Sequence, residues 1–442
     1  MKRWYINTLI ALSLFSTGVA SAATIQEATL KNGAKLIVEE DHSAAVAMVQ
    51  VWLKVGGRDE VPGKTGLAHV FEHMMFKGSK AFKPGEYSKH ISAIGGSDNA
   101  FTSHDYTAFF ETVPASAVDE VIGMEAERFA NLSLDADEFG REIKVIMEER
   151  RMRTDDDPNS RMFEELSAVS LRLHPYRNPV IGWMQDLKRL RIEDVRAFYQ
   201  QHYIASNATI VVVGDVDFAH VQKVVERTFG RMKKVNAPER FNPTEPAPLG
   251  AKRIEVVLPA KSPVLAITIP VPVWQPGKND RDAAALAVAT HLLAGGRTAI
   301  LQRQLVDEQR KAFGVSAGYD PFGMGLDLWY AYGMLSKQQS PKDFEHALWG
   351  VLKDMEKNPI SDQQLKAAKR NMIANEVFAQ DSLYLRAKEI GIMETVGIGA
   401  QHKDAWLDAI RKVTAKDVRD AVSHWLQPKR ATTGTLIPEV KS

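Results

Sequence analysis

The chain has 442 residues, a formal net charge of +1, and 45% hydrophobic and 25% charged residues. That balance fits a globular protein of two or three domains, and no basic stripe with interleaved aromatics marks a nucleic-acid partner. Cysteine is absent, which excludes disulfides, thiol nucleophiles and thiolate metal ligands, so any metal must be held by His, Asp or Glu.

The chain opens MKRWYINTLIALSLFSTGVASA. Lys2 and Arg3 form a positive start, Leu9 to Phe15 a short apolar core, and Ala20-Ser21-Ala22 a cleavage site. This three-part pattern predicts a cleavable signal peptide over residues 1–22 and export. A mature chain without cysteine suits the bacterial periplasm. No later segment is long and apolar enough to span a bilayer.

ATLKNGAKLIVEED follows and predicts a hairpin, with Asn32-Gly33 supplying two positive-φ residues between strand-like flanks. AVAMVQVWLKVGG predicts a buried third strand. GLAHVFEHMMFKG, residues 66–78, has apolar residues at helical spacing and a glycine, Gly78, to end a helix. ISAIGGSDNAFTSHDYTAFFETVP predicts a turn and then strands. SAVDEVIGMEAERFANL and DADEFGREIKVIMEERRMRT predict amphipathic helices, and NATIVVVGDVD a further strand.

Pro238, Pro243, Pro246 and Pro248 crowd one stretch, which neither a helix nor a central strand tolerates. Residues 236–250 therefore predict a linker between a first domain over 23–235 and a second over 251–442. LRIEDVRAFYQQHYIASNATIVVVGDV near the end of the first resembles VTAKDVRDAVSHWLQPKRATTGTLIP near the end of the second, aligning Asp194 with Asp417. The fold class expected is α+β: two similar domains, each a mixed or antiparallel sheet packed with helices.

The chemistry concentrates in residues 66–78. Residues four apart share one face of a helix, so His69 and His73 project together and offer two imidazoles to one ion. Glu72 lies on the adjoining side, near the ion without having to bind it. Three polar side chains buried without a shared partner would be costly, and an ion provides that partner. Two imidazoles and a third ligand leave a position open for water, and the carboxylate takes its proton. The spacing H-x-x-E-H is the inverse of the commoner H-E-x-x-H, and both are zinc-hydrolase arrangements.

A third ligand is needed, and EFGREIKVIMEERRMR offers Glu148 and Glu149. Phe139, Ile143 and Ile146 mark the buried stripe of this helix. Glu149 falls on that stripe, whereas Glu148 shares a face with Arg141 and Lys144. A carboxylate on the buried face needs a compensating partner, which favours Glu149. Glu142, seven residues earlier on the same face, is placed to hydrogen-bond a ligating histidine. The competing assignment for both is a surface ion pair with nearby arginines. His291, in LAVATHLLAGG, sits roughly where the second domain should repeat the helix, and it has no Glu or second His beside it; no metal site is expected there.

With these residues in place, the chain resembles the pitrilysin-like, or inverzincin, M16 zinc metallopeptidases. It is most similar to the short two-domain branch that includes bacterial and mitochondrial processing peptidases. TGLAHVFEHMMFKGS, GGSDNAFTSHDYT, GREIKVIMEERRMRTDDDP, HPYRNPVIG and GGRTAILQRQLVDEQRKAFGVSAGYD carry the likeness, with Val70-Phe71 where Phe-Leu is more usual. The resemblance implies one zinc ion held by His69, His73 and Glu149, Glu72 as general base, and Glu142 as a supporting carboxylate. It also implies that the backbone of Asn99 and Ala100 pairs with an extended peptide.

Larger members of the family have four such domains enclosing a chamber. The resemblance therefore implies a homodimer, or a heterodimer with a related inactive subunit. The function expected is hydrolysis of unstructured peptides or small polypeptides in the cell envelope. The alternative is a non-catalytic scaffold subunit of the same fold.

Overall fold

The computed structural model describes residues 25–358 and 360–439, and the predicted signal peptide lies outside them. Six strands build the first sheet: β1 (Ile25–Thr29), β2 (Lys35–Glu40), β3 (Val46–Leu53), β4 (Ser97–Thr102), β5 (Thr107–Pro114) and β6 (Ala208–Gly214). Their order is β1-β2-β6-β3-β5-β4, antiparallel except for the β2·β6 pair. Five strands build the second: β7 (Lys252–Leu258), β8 (Val264–Val271), β9 (Gly314–Gly318), β10 (Asp327–Met334) and β11 (Thr432–Pro438). Their order is β7-β11-β8-β10-β9, with only β7·β11 parallel. Strands β2, β6, β3, β5 and β4 thus correspond in order and direction to β7, β11, β8, β10 and β9. The fold is α+β with two similar domains, as the sequence predicts.

Helices of the first half are α1 (Leu67–Met74), α2 (Glu86–Ala93), α3 (Val118–Ala130), α4 (Ala136–Arg150), α5 (Pro158–Ser170), α6 (Met184–Leu187), α7 (Ile192–His202) and α8 (Phe218–Arg227). Those of the second are α9 (Asp280–Ala294), α10 (Pro341–Lys357), α11 (Asp362–Ala379), α12 (Leu383–Thr395), α13 (Lys403–Lys412) and α14 (Ala415–Trp425). The repeat seen in the sequence is the pair α7–β6 and α14–β11. Asp194 accepts from the Arg191 amide at 3.0 Å and Asp417 from the Thr414 amide at 2.9 Å, so both aspartates close the first turn of equivalent helices.

Side-chain alternation gives each sheet two buried faces. Leu36, Val38, Val49, Val51, Ile210 and Val212 meet α1 and α3 through Phe71, Met74, Ile122 and Phe129. The opposite face, with Ile37, Met48, Trp52, Val211 and Val213, is covered by Ala387 and Ile390 of α12, a helix from the second half. The exchange is reciprocal: Met162 and Leu166 of α5 cover Val264, Ala266 and Leu436 of the second sheet.

Three local expectations need correction. Asn32 does not take positive φ; only Gly33 does, at +95°. The loop is longer than a two-residue turn, closed by Leu30 and Ala34, and the Asn32 side-chain Nδ2 donates to the Phe229 carbonyl at 2.8 Å. Ile91–Ala93 belong to the end of α2 rather than to a turn; α2 buries only Tyr87 and Ile91, four residues apart, which leaves little periodicity to read. Helix α1 ends at Met74, before Gly78. The stretch 236–250 has no helix or strand, yet it is clamped: Glu245 accepts from the amides of Arg172, Leu173 and His174 at 2.6 to 2.9 Å.

Candidate metal centre

Helix α1 starts on Gly66, whose φ is +90°. The Glu60 carboxylate accepts from the Gly66 and Ala68 amides, both at 2.8 Å, and so satisfies the first turn. Leu67, Val70, Phe71 and Met74 are buried and anchor the helix on the sheet. Phe71 packs on Tyr203, with ring centroids 3.7 Å apart. The remaining face carries His69 and His73 toward α4, the two imidazole centroids 4.7 Å apart, and Glu72 toward Thr102 of β4.

Helix α4 starts under Asp135, which accepts from the Asp137 and Glu138 amides at 2.9 Å. Phe139 and Ile146 bury its inner face. Glu142 and Glu149 are seven residues apart, so both face α1. Glu148 points outward and pairs with Arg151.

One ligand atom from each of His69, His73 and Glu149 lies within 4.8 Å of the others. Glu149 Oε2 is 3.4 Å from His73 Nε2 and 3.9 Å from His69 Nε2. Two atoms bound tetrahedrally to one zinc ion lie about 3.3 Å apart, so the donor set fits zinc with little movement. His73 Nδ1 donates to Glu142 Oε1 at 2.7 Å. In the neutral imidazole this leaves the Nε2 lone pair facing the Glu149 oxygen, two acceptors that a shared cation would reconcile. Burial pushes the His69 imidazole down to about 3, with His73 and Arg153 adding to the effect, so it stays neutral and able to ligate.

Glu142 Oε2 takes a second ion pair from Lys77 at 2.6 Å. Burial works to raise its carboxyl, but the hydrogen bonds and charges of His73 and Lys77 together hold it below the ordinary range. Burial raises Glu72, against the opposing hydrogen bond from Thr102. Arg153 reaches Glu149 Oε1 at 3.0 Å.

Asn99 and Ala100 lie on β4, the terminal strand of the first sheet. The Ala100 amide donates to the Asn99 side chain at 2.8 Å. His104 is in the β4–β5 turn and binds the Asn178 carbonyl at 2.9 Å through Nε2, holding the loop before α6. Glu60, Lys77 and Thr102 escaped the sequence reading. Lys77 is four residues past His73, and Thr102 shares the strand parity of Ala100, so spacing pointed at both. Glu60 carried no such signal, because the turn that folds it back on Gly66 is set by tertiary packing.

Residues 35–183 match the family model described as insulinase, peptidase family M16, and residues 189–372 the one described as peptidase M16 inactive domain. The zinc protease PqqE of Helicobacter pylori is 33% identical over 71% of this chain and 72% of its own. The chain belongs to peptidase family M16. Its fold matches the crystal structure of a protease from Helicobacter pylori with a TM-score of 0.88 at 27% identity, over 94% of this chain and all of that one. It also matches one half of the periplasmic protease PqqL of Escherichia coli, with a TM-score of 0.77 at 18% identity, covering 95% of this chain and 48% of PqqL. These likenesses support the peptidase class and this pitrilysin-like fold. The M16 inactive-domain match includes none of His69, Glu72, His73 and Glu149. Among the described residues no helix is long and apolar enough to cross a membrane.

Proposed function

We propose that this M16 protein is a zinc-dependent endopeptidase acting on unstructured peptides or small polypeptides in the periplasm. The convergence of His69 Nε2, His73 Nε2 and Glu149 Oε2 beside Glu72 carries the reading. Zinc, when bound, supplies Lewis acidity that polarises the scissile carbonyl and acidifies water. The protein's own groups do the rest. Glu142 holds the His73 ring so that Nε2 faces the site. Glu72 takes a proton from the attacking water and returns it to the leaving amine. The outer edge of β4 at Asn99 and Ala100 suits an extended chain without structure of its own, which would take up the Ala100 amide in place of the Asn99 side chain.

Export rests on the signal-peptide pattern of residues 1–22 and is in keeping with the periplasmic PqqL neighbour. That neighbour spans about twice this chain, which supports a paired assembly, either a homodimer or a heterodimer with a related inactive subunit. We divide the chain into domains at 23–235 and 251–442 joined by 236–250, a division supported by one sheet lying on each side of that stretch.

The test is bound zinc and peptide cleavage for wild type and Glu72→Gln. Stoichiometric zinc in both is expected, with cleavage by Glu72→Gln reduced to a small residual rate. Zinc in both with no cleavage by the wild-type dimer or with its partner would favour the scaffold, and robust cleavage by Glu72→Gln would remove Glu72 from the mechanism.

A further inference from the structure

Strand β4 alternates its side chains between two environments. Ala100 packs into the core beneath α1. Phe101 turns the other way, against Trp52 at 5.3 Å and the layer under α12. Thr102 shares the parity of Ala100 and therefore faces α1. There its hydroxyl donates to Glu72 Oε2. An ionised carboxylate only accepts, so the direction of this bond is fixed. Glu72 Oε1 accepts no hydrogen bond from the described residues and is not sealed from solvent.

We infer that Thr102 is a positioning residue for the general base: it holds one oxygen of Glu72 and leaves the other turned to the water. The inference rests on the peptidase reading above. Thr102 is suited to this because its own place is rigid. Its backbone pairs with Thr107, and the Thr107 hydroxyl is tied to the Val55 carbonyl at 3.0 Å. A β-branched side chain on a paired strand has little χ1 freedom, whereas Glu72 has three rotatable bonds and no other hydrogen-bond partner among the described residues. The strand that aims the base is also the strand whose edge offers itself to the peptide, so base and substrate are registered on one element.

The experiment compares Thr102→Val, Thr102→Ala and Thr102→Ser in the wild-type and Glu72→Gln backgrounds, with circular dichroism to establish folding. Removing the hydroxyl should lower kcat roughly 10- to 100-fold, the scale of a misplaced catalytic group, with KM within about twofold. Thr102→Ser should restore kcat to within about threefold, since it keeps the donor. In the Glu72→Gln background the same changes should have no further effect on residual cleavage. Zinc content, and the affinity of the Glu72→Gln protein for a fluorescent peptide, should stay level throughout. An active wild type with kcat unchanged in Thr102→Val and Thr102→Ala overturns the inference alone, as does a loss that persists undiminished without Glu72 or that appears in KM or zinc content. A zinc-loaded wild type that cleaves nothing overturns the peptidase reading and the inference with it.

Discussion

At the scale of single residues, the charge chain His73–Glu142–Lys77 is the most informative feature. Glu142 Oε1 accepts from His73 and Oε2 pairs with Lys77, so its negative charge supports the imidazole's basicity at Nε2. Glu142→Gln keeps an acceptor and removes the charge. Zinc affinity measured by chelator competition should fall about 10- to 100-fold, and an unchanged affinity would show that the charge plays no part. Glu148→Ala is the matching control. Glu148 is an exposed partner of Arg151, and surface pairs contribute about 0–1 kcal/mol. Zinc content and melting temperature of this variant should equal those of wild type, and lost zinc would place Glu148 rather than Glu149 in the site.

At the scale of elements, the approach of α1 to the loop before α6 decides whether the histidines are presented at all. Gly66 has φ of +90°, and a Cβ there would sit 2.7 Å from the Ile181 carbonyl oxygen and 2.8 Å from Leu187 Cδ2. Gly66→Ala combines a left-handed backbone with a clash, and should cost about 1–3 kcal/mol. Urea unfolding reads this directly, and a variant as stable as wild type would mean that the helix entry relaxes freely. A second close approach joins α12 to β3. A Cβ on Gly391 would come within 1.9 Å of the Trp52 ring, so Gly391→Ala forces the helix off the sheet and should destabilise by about 1–3 kcal/mol.

At the scale of the molecule, α5 and α12 each cover the other half's sheet, so the halves should unfold together, and a buried polar node ties them at the linker. Arg58, with its side chain fully buried, donates to Asp105 and to the Met324 carbonyl at 3.1 Å, and to the Phe241 carbonyl at 2.7 Å. Arg58→Ala removes the counter-charge of Asp105 and leaves it the Tyr176 hydroxyl as donor, and should cost about 3–5 kcal/mol; two separate unfolding transitions in its place would show that the halves are independent. His174 belongs to the same node, binding the Met324 carbonyl at 3.0 Å. Burial first, then Arg58, pushes its imidazole down to about 4, against the pull of Asp105 and Glu245. The unfolded chain therefore takes up a proton near pH 6.5 that the folded chain refuses until about 4. This group's stabilisation is complete above pH 6.5 and is lost progressively down to about pH 4. Urea midpoints across that window should fall in wild type and fall less in His174→Asn.

Periodicity made much of this legible. The helix of 66–78, the helix phase that separates Glu149 from Glu148, the buried strand at 208–214 and the α7–β6 repeat in α14–β11 all follow from side chains recurring at 3.6 or 2 residues. Those are local properties, so sequence by itself determined the α+β class, the two similar halves and the residues to suspect. The tertiary structure alone decided how the parts meet. Nothing local tells Met162 of α5 that it lies on Val264, or Ala387 of α12 that it lies on Ile37. Nothing local brings Glu142 to His73 across 69 residues, or Thr102 to Glu72 across 30. Such contacts depend on strand order and on which face of each sheet is left to be covered, and burying both faces of both sheets is a requirement that only the whole chain can satisfy.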